Sequence, residues 1–271
     1  MLGLGNSVTS AYVQQDAYVD PSSLGTLALW LKFNTDIFAD EPDAGNSNDD
    51  TLSHNDRINE WRDQSGNNNH ARQTTSADKP RADITNNSGA EKGSVNFVNN
   101  VKYMNLTSGI SLTGDFTIMI RFTLDNATRA RAFLGDSDND LLKLESVSEF
   151  RTALGGASNV SAFLESSLAI TSANHTVKSI VTFTRSSGAL SIHVNAGASG
   201  SGFNNVHDDV DWDAAENHTD SDTFTITNIG SQADDTDDFR GHFYDVLIYD
   251  GVALTESQRK LNYDYLNSQT V

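Results

Sequence analysis

The stretch Asp115-Phe-Thr-Ile-Met-Ile-Arg-Phe-Thr-Leu124 decides the fold class. Its bulky apolar side chains occupy every second position: Phe116, Ile118, Ile120, Phe122 and Leu124. Successive side chains of a β-strand point to opposite faces of a sheet, so this alternation is typical of a strand rather than a helix. We therefore predict a strand here, with its apolar face in a core.

Similar short apolar stretches, separated by clusters of Asn, Asp, Gly and Ser, lie on both sides of this strand. We predict further strands at 27–33, 94–98, 102–106, 132–135, 141–145, 150–154, 176–185, 189–195, 223–229 and 240–249. The turn residues Asn99-Asn100 predict a hairpin between the second and third of these. Many short strands with polar connections predict an all-β sandwich or barrel, and the polar segment 34–54 predicts a long loop.

Both ends of the chain depart from this pattern. Residues 1–25 are weakly patterned, and we interpret them as an extended arm, with a disordered terminus as the alternative. Residues 26–271 form the predicted domain. The domain ends in a predicted short helix, because Thr255 and Gln258 have the spacing of a capping box. The apolar stripe of this helix is Leu261, Tyr265 and Leu266.

Composition excludes several classes of function. The chain has 271 residues with 18 Lys plus Arg against 37 Asp plus Glu, a formal net charge of −19, so it lacks the cations that nucleic-acid binding requires. It has no cysteine, which excludes disulfides, a thiolate nucleophile and Cys-based metal sites. No apolar run approaches the roughly 18 residues of a membrane span, so we expect no membrane insertion.

The charge is unevenly distributed along the chain. Residues 201–250 contain 13 acidic residues and one basic residue, a balance of 1 − 13 = −12. Residues 51–100 contain six acidic and six basic residues. We expect the acidic part to face solvent and the more neutral N-terminal half to face partners.

Three blocks of the chain carry extended motifs. They are Trp61-Arg-Asp-Gln-Ser-Gly-Asn-Asn-Asn-His-Ala71 after Leu27-Ala-Leu-Trp-Leu31; Val95-Asn-Phe97 with Tyr103-Met-Asn-Leu106; and Phe239-Arg-Gly-His-Phe-Tyr-Asp-Val-Leu-Ile-Tyr-Asp250 with Ala253-Leu-Thr255. Together they resemble the concanavalin A-like lectin/glucanase superfamily, and within it the laminin-G-like jelly-roll modules. The resemblance implies a two-sheet antiparallel jelly-roll sandwich. It says little about activity, because one scaffold hosts many functions.

The opening Met1-Leu-Gly-Leu-Gly-Asn-Ser7 resembles structural proteins of tailed phages, especially those that infect marine cyanobacteria. It lacks the features of a secretory signal. We interpret the chain as a non-enzymatic virion component, either a capsid decoration or a tail-associated protein, made in the host cytoplasm. Its partners are then other virion proteins or further copies of the chain, contacted through residues 1–25. The alternative is a carbohydrate-binding, host-recognition module whose partner is a host-surface glycan.

A glycoside hydrolase is the third hypothesis. The enzymes of the superfamily use a strand that reads E-x-D-x-E, and the similar stretch here is Glu145-Ser-Val-Ser-Glu149. Val147 replaces the central acid, and the stretch is better interpreted as a hairpin. We therefore predict no catalytic residue. Asp136-Ser-Asp-Asn-Asp140 likewise departs from a calcium-binding EF-hand loop at its later positions, which favours an Asp-rich hairpin turn.

The resemblance also implies a structural Ca²⁺ ion. Asp63 and Asn67 match the first ligands, whereas the acid of the last core strand aligns with Tyr244, and Asp245 takes the next position. The alternative is a turn in which Asp63 accepts backbone N–H groups.

Trp212 is the candidate carbohydrate contact. It lies in the acidic segment Asp208-Asp-Val-Asp-Trp-Asp213, where its ring can stack on a sugar while Asp211 and Asp213 accept hydroxyl groups. The alternative is a tryptophan that packs the loop onto the sandwich. Trp30 and Trp61 lie within apolar segments, and we predict that both are core residues.

Overall fold

The computed structural model describes residues 18–32, 35–39, 52–84, 93–97, 102–125, 131–137, 140–146, 149–155, 158–163, 176–196, 211–212, 222–232 and 237–269. These residues form a sandwich of two antiparallel sheets, closed by one C-terminal helix. The predicted all-β, two-sheet architecture is confirmed. No helix in the described part is long and apolar enough to cross a membrane.

The strands, in chain order, are β1 (Leu27–Lys32), β2 (Ile37–Phe38), β3 (Glu60–Trp61), β4 (Ala71–Arg72), β5 (Arg81–Asp83), β6 (Ser94–Asn96), β7 (Met104–Leu112), β8 (Phe116–Leu124), β9 (Arg131–Ser137), β10 (Asp140–Ser146), β11 (Glu149–Leu154), β12 (Ser158–Phe163), β13 (Ser179–Ser186), β14 (Ala189–Ala196), β15 (Asp211–Trp212), β16 (Phe224–Ile229) and β17 (Gly241–Asp250). A 3₁₀ turn, Pro21–Ser23, precedes them, and helix α1, Glu256–Ser268, follows.

The strands divide between a seven-stranded and a ten-stranded sheet. The seven-stranded sheet has the order β14-β13-β8-β17-β6-β5, with β1 also paired to β17. The ten-stranded sheet has the order β15-β12-β11-β10-β9-β16-β7-β4-β3-β2. Their facing sides form one apolar core, which includes Trp61, Phe97, Phe133 and Phe243.

Strand β8 lies in the middle of the seven-stranded sheet, between β13 and β17. Its predicted apolar face packs in the main core, as the alternation indicated. The other face is buried too, because Met119 packs in a second cluster outside this sheet and Arg121 is only 2% exposed. All 9 residues of this strand are therefore buried, although only the five of the alternating apolar face belong to the main core.

Helix α1 covers the outer face of the seven-stranded sheet. The predicted capping box is confirmed, since the Thr255 side chain accepts from the backbone N–H of Gln258 and the Gln258 side chain accepts from the backbone N–H of Thr255. Tyr265 and Leu266 pack with Trp30 of β1 in the second cluster. The predicted stripe is wrong at one position: Leu261 is exposed, because the helix phase turns Asn262 toward the sheet instead.

Part of the predicted arm packs on the domain. Pro21 is buried, and its carbonyl accepts the Tyr249 hydroxyl at 3.0 Å. Leu24 packs against the second apolar cluster. These contacts begin by residue 21, and residues 1–17 lie outside the described residues. The boundary at residue 25 stays a prediction.

The predicted hairpin of 94–98 with 102–106 is wrong. Strand β6 pairs with β5 and β17 in one sheet, whereas β7 pairs with β4 and β16 in the other. The chain crosses from one sheet to the other between β6 and β7. Alternation of apolar residues predicts that one face of a strand is buried, but it does not predict to which sheet the strand belongs. The predicted loop 34–54 also contains a two-residue strand, β2, whose side chains are buried.

Candidate functional site

An open groove lies between the N-terminal segment and helix α1. Its volume is about 630 Å³, within the range of ligand-binding clefts. One wall is Tyr18 and Val19, and the other is the outward face of the helix. Positions 260, 264 and 267 follow the i, i+4, i+7 spacing that places them on one helical face.

The groove combines apolar and polar side chains. Tyr18 is 54% exposed and Leu261 is 38% exposed, and they are the two exposed large hydrophobic residues of the described part. Lys260, Asp264 and Asn267 also line the groove, and Lys260 pairs with Asp264. An aromatic ring beside a carboxylate, an amide and an ammonium can contact both the C–H face and the hydroxyl groups of a sugar.

Asp63 lies in a tight turn that joins two parts of the sandwich. Its Oδ1 accepts the N–H groups of Trp30 at 2.9 Å and Ser65 at 2.8 Å, and its Oδ2 accepts the Ser65 hydroxyl at 2.7 Å and the Asn69 N–H at 3.1 Å. Gly66, with φ +89°, permits the tight bend. The alternative interpretation, a turn held by the Asp63 carboxylate, is therefore confirmed.

Asn67 fastens the same turn to β1. Its Nδ2 donates to the Leu27 carbonyl at 2.6 Å and to the Ser65 hydroxyl at 3.0 Å. Asn69 donates similarly to the Ala28 carbonyl at 2.9 Å. The side chains of Asp63, Asn67 and Asn69 thus all bind the backbone of β1. These bonds explain why the motif that begins at Trp61 occurs together with the motif of the first strand.

Asp245 lies in a different environment from Asp63. It is 3% exposed, and its Oδ2 is 3.5 Å from Arg121 Nη1, which also donates to the Leu266 carbonyl near the end of α1. Burial raises the pKa of Asp245 to about 7, against the opposing effects of Arg121 and Lys32. Asp245 thus contributes to the contact between β17, β8 and α1.

These residues do not fit the calcium site that the resemblance implies. Both Asp63 oxygens face N–H or O–H donors, Asn67 presents its amide nitrogen to the turn, and Asp245 has a separate set of partners. Within the described ranges, no three His, Asp or Glu side chains are placed to hold a metal ion. Calcium binding by the protein stays a prediction.

The structure places Trp212 in an edge strand. Asp211 and Trp212 form β15, in register with Phe163 and Ala162 of β12 at the end of the ten-stranded sheet. Their acidic surroundings predict a loop, and β-pairing with residues 48 and 50 positions earlier gives no local sequence signal. Asp213 lies outside the described residues. The roles of these three residues in sugar binding stay predictions.

Glu145 and Glu149 lie on opposite sides of a hairpin. Strand β10 ends at Ser146 and β11 begins at Glu149, as the hairpin interpretation predicted. Glu145 pairs with Lys143 at 2.8 Å. Burial opposes the charge of Lys143, yet the hydrogen bonds that its ammonium donates to Asp237 and Glu145 outweigh burial and raise the lysine pKa. Glu145 thus belongs to an ion-pair network of the sheet surface.

A cluster of polar groups, buried at Asp83 and His242, lies near the β5 edge of the seven-stranded sheet. Asp83 is 3.1 Å from His54 Nδ1 and 3.6 Å from His242 Nε2, and the other ring nitrogen of His242 is 3.4 Å from the Thr123 hydroxyl. Burial lowers the pKa of His242 to about 4 and raises the pKa of Asp83. His242 is thus neutral at ordinary pH.

Sequence reasoning missed the groove. Tyr18 was assigned to the arm and Leu261 to the buried stripe, so no candidate set contained both. The capping box fixes where α1 begins, and the spacing of Lys260, Asp264 and Asn267 could have identified its polar face. The pairing of that face with residues 18–19 depends on a contact over more than 240 positions, for which the sequence has no signal.

Comparisons with known proteins identify the fold. No protein-family model and no curated protein matches this sequence. A GH54 α-L-arabinofuranosidase soaked with a cyclic sulfate inhibitor is 14% identical, with a TM-score of 0.52 over 90% of this chain and 60% of that chain. An arabinofuranosidase complexed with arabinofuranosyl-α-1,2-xylobiose is 13% identical, with a TM-score of 0.51 over 90% of this chain and 59% of that chain.

A third structure is more distant. It is a botulinum neurotoxin type C whose cell entry depends on interaction with two ganglioside molecules, and it is 14% identical, with a TM-score of 0.45 over 89% of this chain and 51% of that chain. That similarity is too low to support a conclusion. The arabinofuranosidases share the sandwich fold with this chain, and the chain spans about three fifths of their length.

Proposed function

We propose that this protein is a non-enzymatic carbohydrate-binding module, and that the groove beside α1 is its glycan site. The observation that carries the proposal is the position of Tyr18 and Leu261. Among the described residues, Tyr18 and Leu261 are the two large apolar side chains that are exposed. Both line the same groove. Exposed apolar patches with polar rims are typical of ligand sites.

The polar groups of the groove favour binding over hydrolysis. Most glycoside hydrolases use a pair of carboxylic acids that flank the scissile bond. Among the described lining residues, Asp264 is the one carboxylate, and Lys260 is paired with it. A ring for stacking and several hydrogen-bonding groups suffice for recognition, so a lectin-like role requires nothing further.

Glycan-array binding with matched variants tests this function. We expect Tyr18→Ala to weaken binding about tenfold because stacking is lost, and Tyr18→Phe to retain it because the ring remains. Trp212→Ala serves as the comparison for the site predicted from the sequence, and we expect it to bind like the wild type. Loss of binding in Trp212→Ala with full binding in Tyr18→Ala would move the site to β15. The absence of any glycan binding by the wild-type protein would refute the function.

The interpretation as a virion component stays a prediction. Residues 1–17, which carry its sequence signal, lie outside the described residues, and the compared structures do not bear on it. A glycan-binding module is compatible with host recognition by such a particle. Mass spectrometry of purified particles from the source would test that location.

A further inference from the structure

Glu60 is a fully buried carboxylate that binds two arginines. It is 0% exposed, its Oε1 accepts from Arg62 Nε at 2.7 Å, and its Oε2 accepts from Arg72 Nε. The geometry follows from strand alternation. Trp61 points into the core, so Glu60 and Arg62 on either side of it face outward, and Arg72 lies directly opposite Glu60 on β4.

The arrangement has one cation more than its carboxylate needs. Two guanidinium groups against one carboxylate leave a local charge of +1 in a chain whose net charge is −19. A buried carboxylate requires a partner, but a single arginine can satisfy both of its oxygens through a bidentate contact. Here each arginine contacts a separate oxygen through its Nε alone. Neutralisation of Glu60 therefore does not explain why two arginines are present.

The unused hydrogen-bond donors face outward. The Arg62 and Arg72 side chains are 34% and 43% exposed, and within the described part of the chain their terminal amino groups have no hydrogen-bond partner. Because the two oxygens belong to one carboxylate, both guanidinium groups are held beside the same group. Arg62 also stacks on Phe38, with its guanidinium carbon 4.2 Å from the ring centroid. The donors are therefore positioned before any ligand arrives.

We propose that Arg62 and Arg72, positioned by Glu60, form a binding site for the oxyanion group of an acidic glycan, either a carboxylate or a sulfate ester. Paired guanidinium groups match the geometry of such oxyanions. Asn105 of β7, exposed and in register with Arg72, can contact neighbouring sugar hydroxyls. The Asp36 carboxylate is engaged elsewhere, since it accepts from Gln64 at 3.2 Å.

The site is separate from the groove. Helix α1 packs on the outer face of the seven-stranded sheet, whereas Glu60, Arg62 and Arg72 lie on the outer face of the ten-stranded sheet. The glycan part of this inference rests on the proposed function, but the oxyanion contact does not require the groove. Variants of one site therefore leave the other unchanged.

The test is calorimetric titration of the full chain with an oligogalacturonate, its neutral methyl ester and inorganic sulfate, each at low and at high NaCl. The variants are Arg62→Lys and Arg72→Lys, because lysine keeps Glu60 paired while it removes the planar fork. Alanine at either position would leave Glu60 with one partner and destabilise the fold. Arg151→Lys is the matched control. Arg151 lies in the same sheet, and it is a single arginine, 3.8 Å from the partly exposed carboxylate of Glu145.

We expect saturable binding of oligogalacturonate at low salt, weaker binding at high salt, and a loss of about tenfold in each Lys variant. The neutral ester should bind at least tenfold more weakly at this site, and the control should match the wild type. Equal affinity of the wild type and both Lys variants would overturn the site. Sulfate ions that compete at equal affinity would overturn the assignment to a glycan. Failure at this site with Tyr18-dependent binding of neutral glycans would refute this inference and leave the proposed function intact.

Discussion

The turn held by Asp63 gives the sharpest prediction for the fold. In Asp63→Asn, one carboxylate oxygen becomes an NH₂ group, and whichever oxygen remains, the NH₂ faces a backbone N–H that the carboxylate had bound. If Oδ1 is retained, the Asn69 N–H loses its acceptor; if Oδ2 is retained, the Trp30 and Ser65 N–H groups lose theirs. At least one buried or part-buried donor is left without a partner, and the remaining bonds lose their charged acceptor.

The magnitude follows from these contacts. Hydrogen bonds to a charged group contribute about 1.5–3 kcal/mol each, and an unsatisfied buried donor costs about 1–3 kcal/mol. Asp63 is 7% exposed, so solvent gives little compensation. We expect Asp63→Asn to lower the free energy of unfolding by about 3 kcal/mol, a substantial share of the roughly 5–15 kcal/mol of a typical domain.

Urea unfolding monitored by tryptophan fluorescence measures the effect, since Trp30 and Trp61 are both buried. Asp136→Asn is the control: Asp136 is half-buried and accepts the Thr227 hydroxyl at 2.6 Å, so its loss should cost less than about 1 kcal/mol. Each protein is measured with EDTA and with CaCl₂, and no difference is expected. A change below about 0.5 kcal/mol in Asp63→Asn would refute the reasoning, as would a Ca²⁺-dependent gain in wild-type stability that this variant abolishes.

Two further predictions concern buried basic side chains. Arg185 is 1% exposed and donates to the carbonyls of Gly114, Asp222 and Leu112 at 2.7, 2.5 and 2.9 Å. We therefore expect Arg185→Met to lower the free energy of unfolding by about 3 kcal/mol or more in the same assay. A loss under about 1 kcal/mol would contradict this role. Burial lowers the pKa of His242 to about 4 in the folded protein, against 6.5 in the unfolded chain. Between these two pH values the unfolded chain binds a proton that the folded protein does not. The free energy of unfolding therefore decreases as pH falls from about 6.5 to about 4, by up to roughly 3 kcal/mol. Raised carboxyl pKa values, as at Asp83, act in the opposite direction, so the quantity to measure is the stability of wild type minus His242→Gln across that range; a difference that does not change with pH would contradict the assignment.

Local pattern was sufficient for most of the strands and for the helix start. Alternation in the segment 115–124 predicted β8 and its core face, and the capping box at Thr255 predicted where α1 begins. Both signals act over a few residues, through side-chain direction and through one reciprocal pair of hydrogen bonds. The assignment of Leu261 to the buried side failed because burial depends on the surface that the helix meets.

Long-range contacts decided the sheet membership and the sites. Strands β6 and β7 have the composition of a hairpin. Yet β6 pairs with β17 and β7 pairs with β16, both far along the chain. The packing of the two sheets against each other decides which strands form backbone hydrogen bonds. The groove requires Tyr18 beside the outward face of α1, and the arginine pair requires β3 and β4 in register so that Arg72 reaches Glu60.

The sequence by itself determined an acidic, cysteine-free, all-β chain with a capped C-terminal helix. These features depend on composition or on interactions between near neighbours. The tertiary structure alone decided that Asp63 and Asp245 have separate sets of partners, that the exposed Tyr18 and Leu261 line one groove, and that Glu60 aligns two arginines. Each of these depends on where distant segments meet, and that is set by the burial of apolar faces in the sandwich.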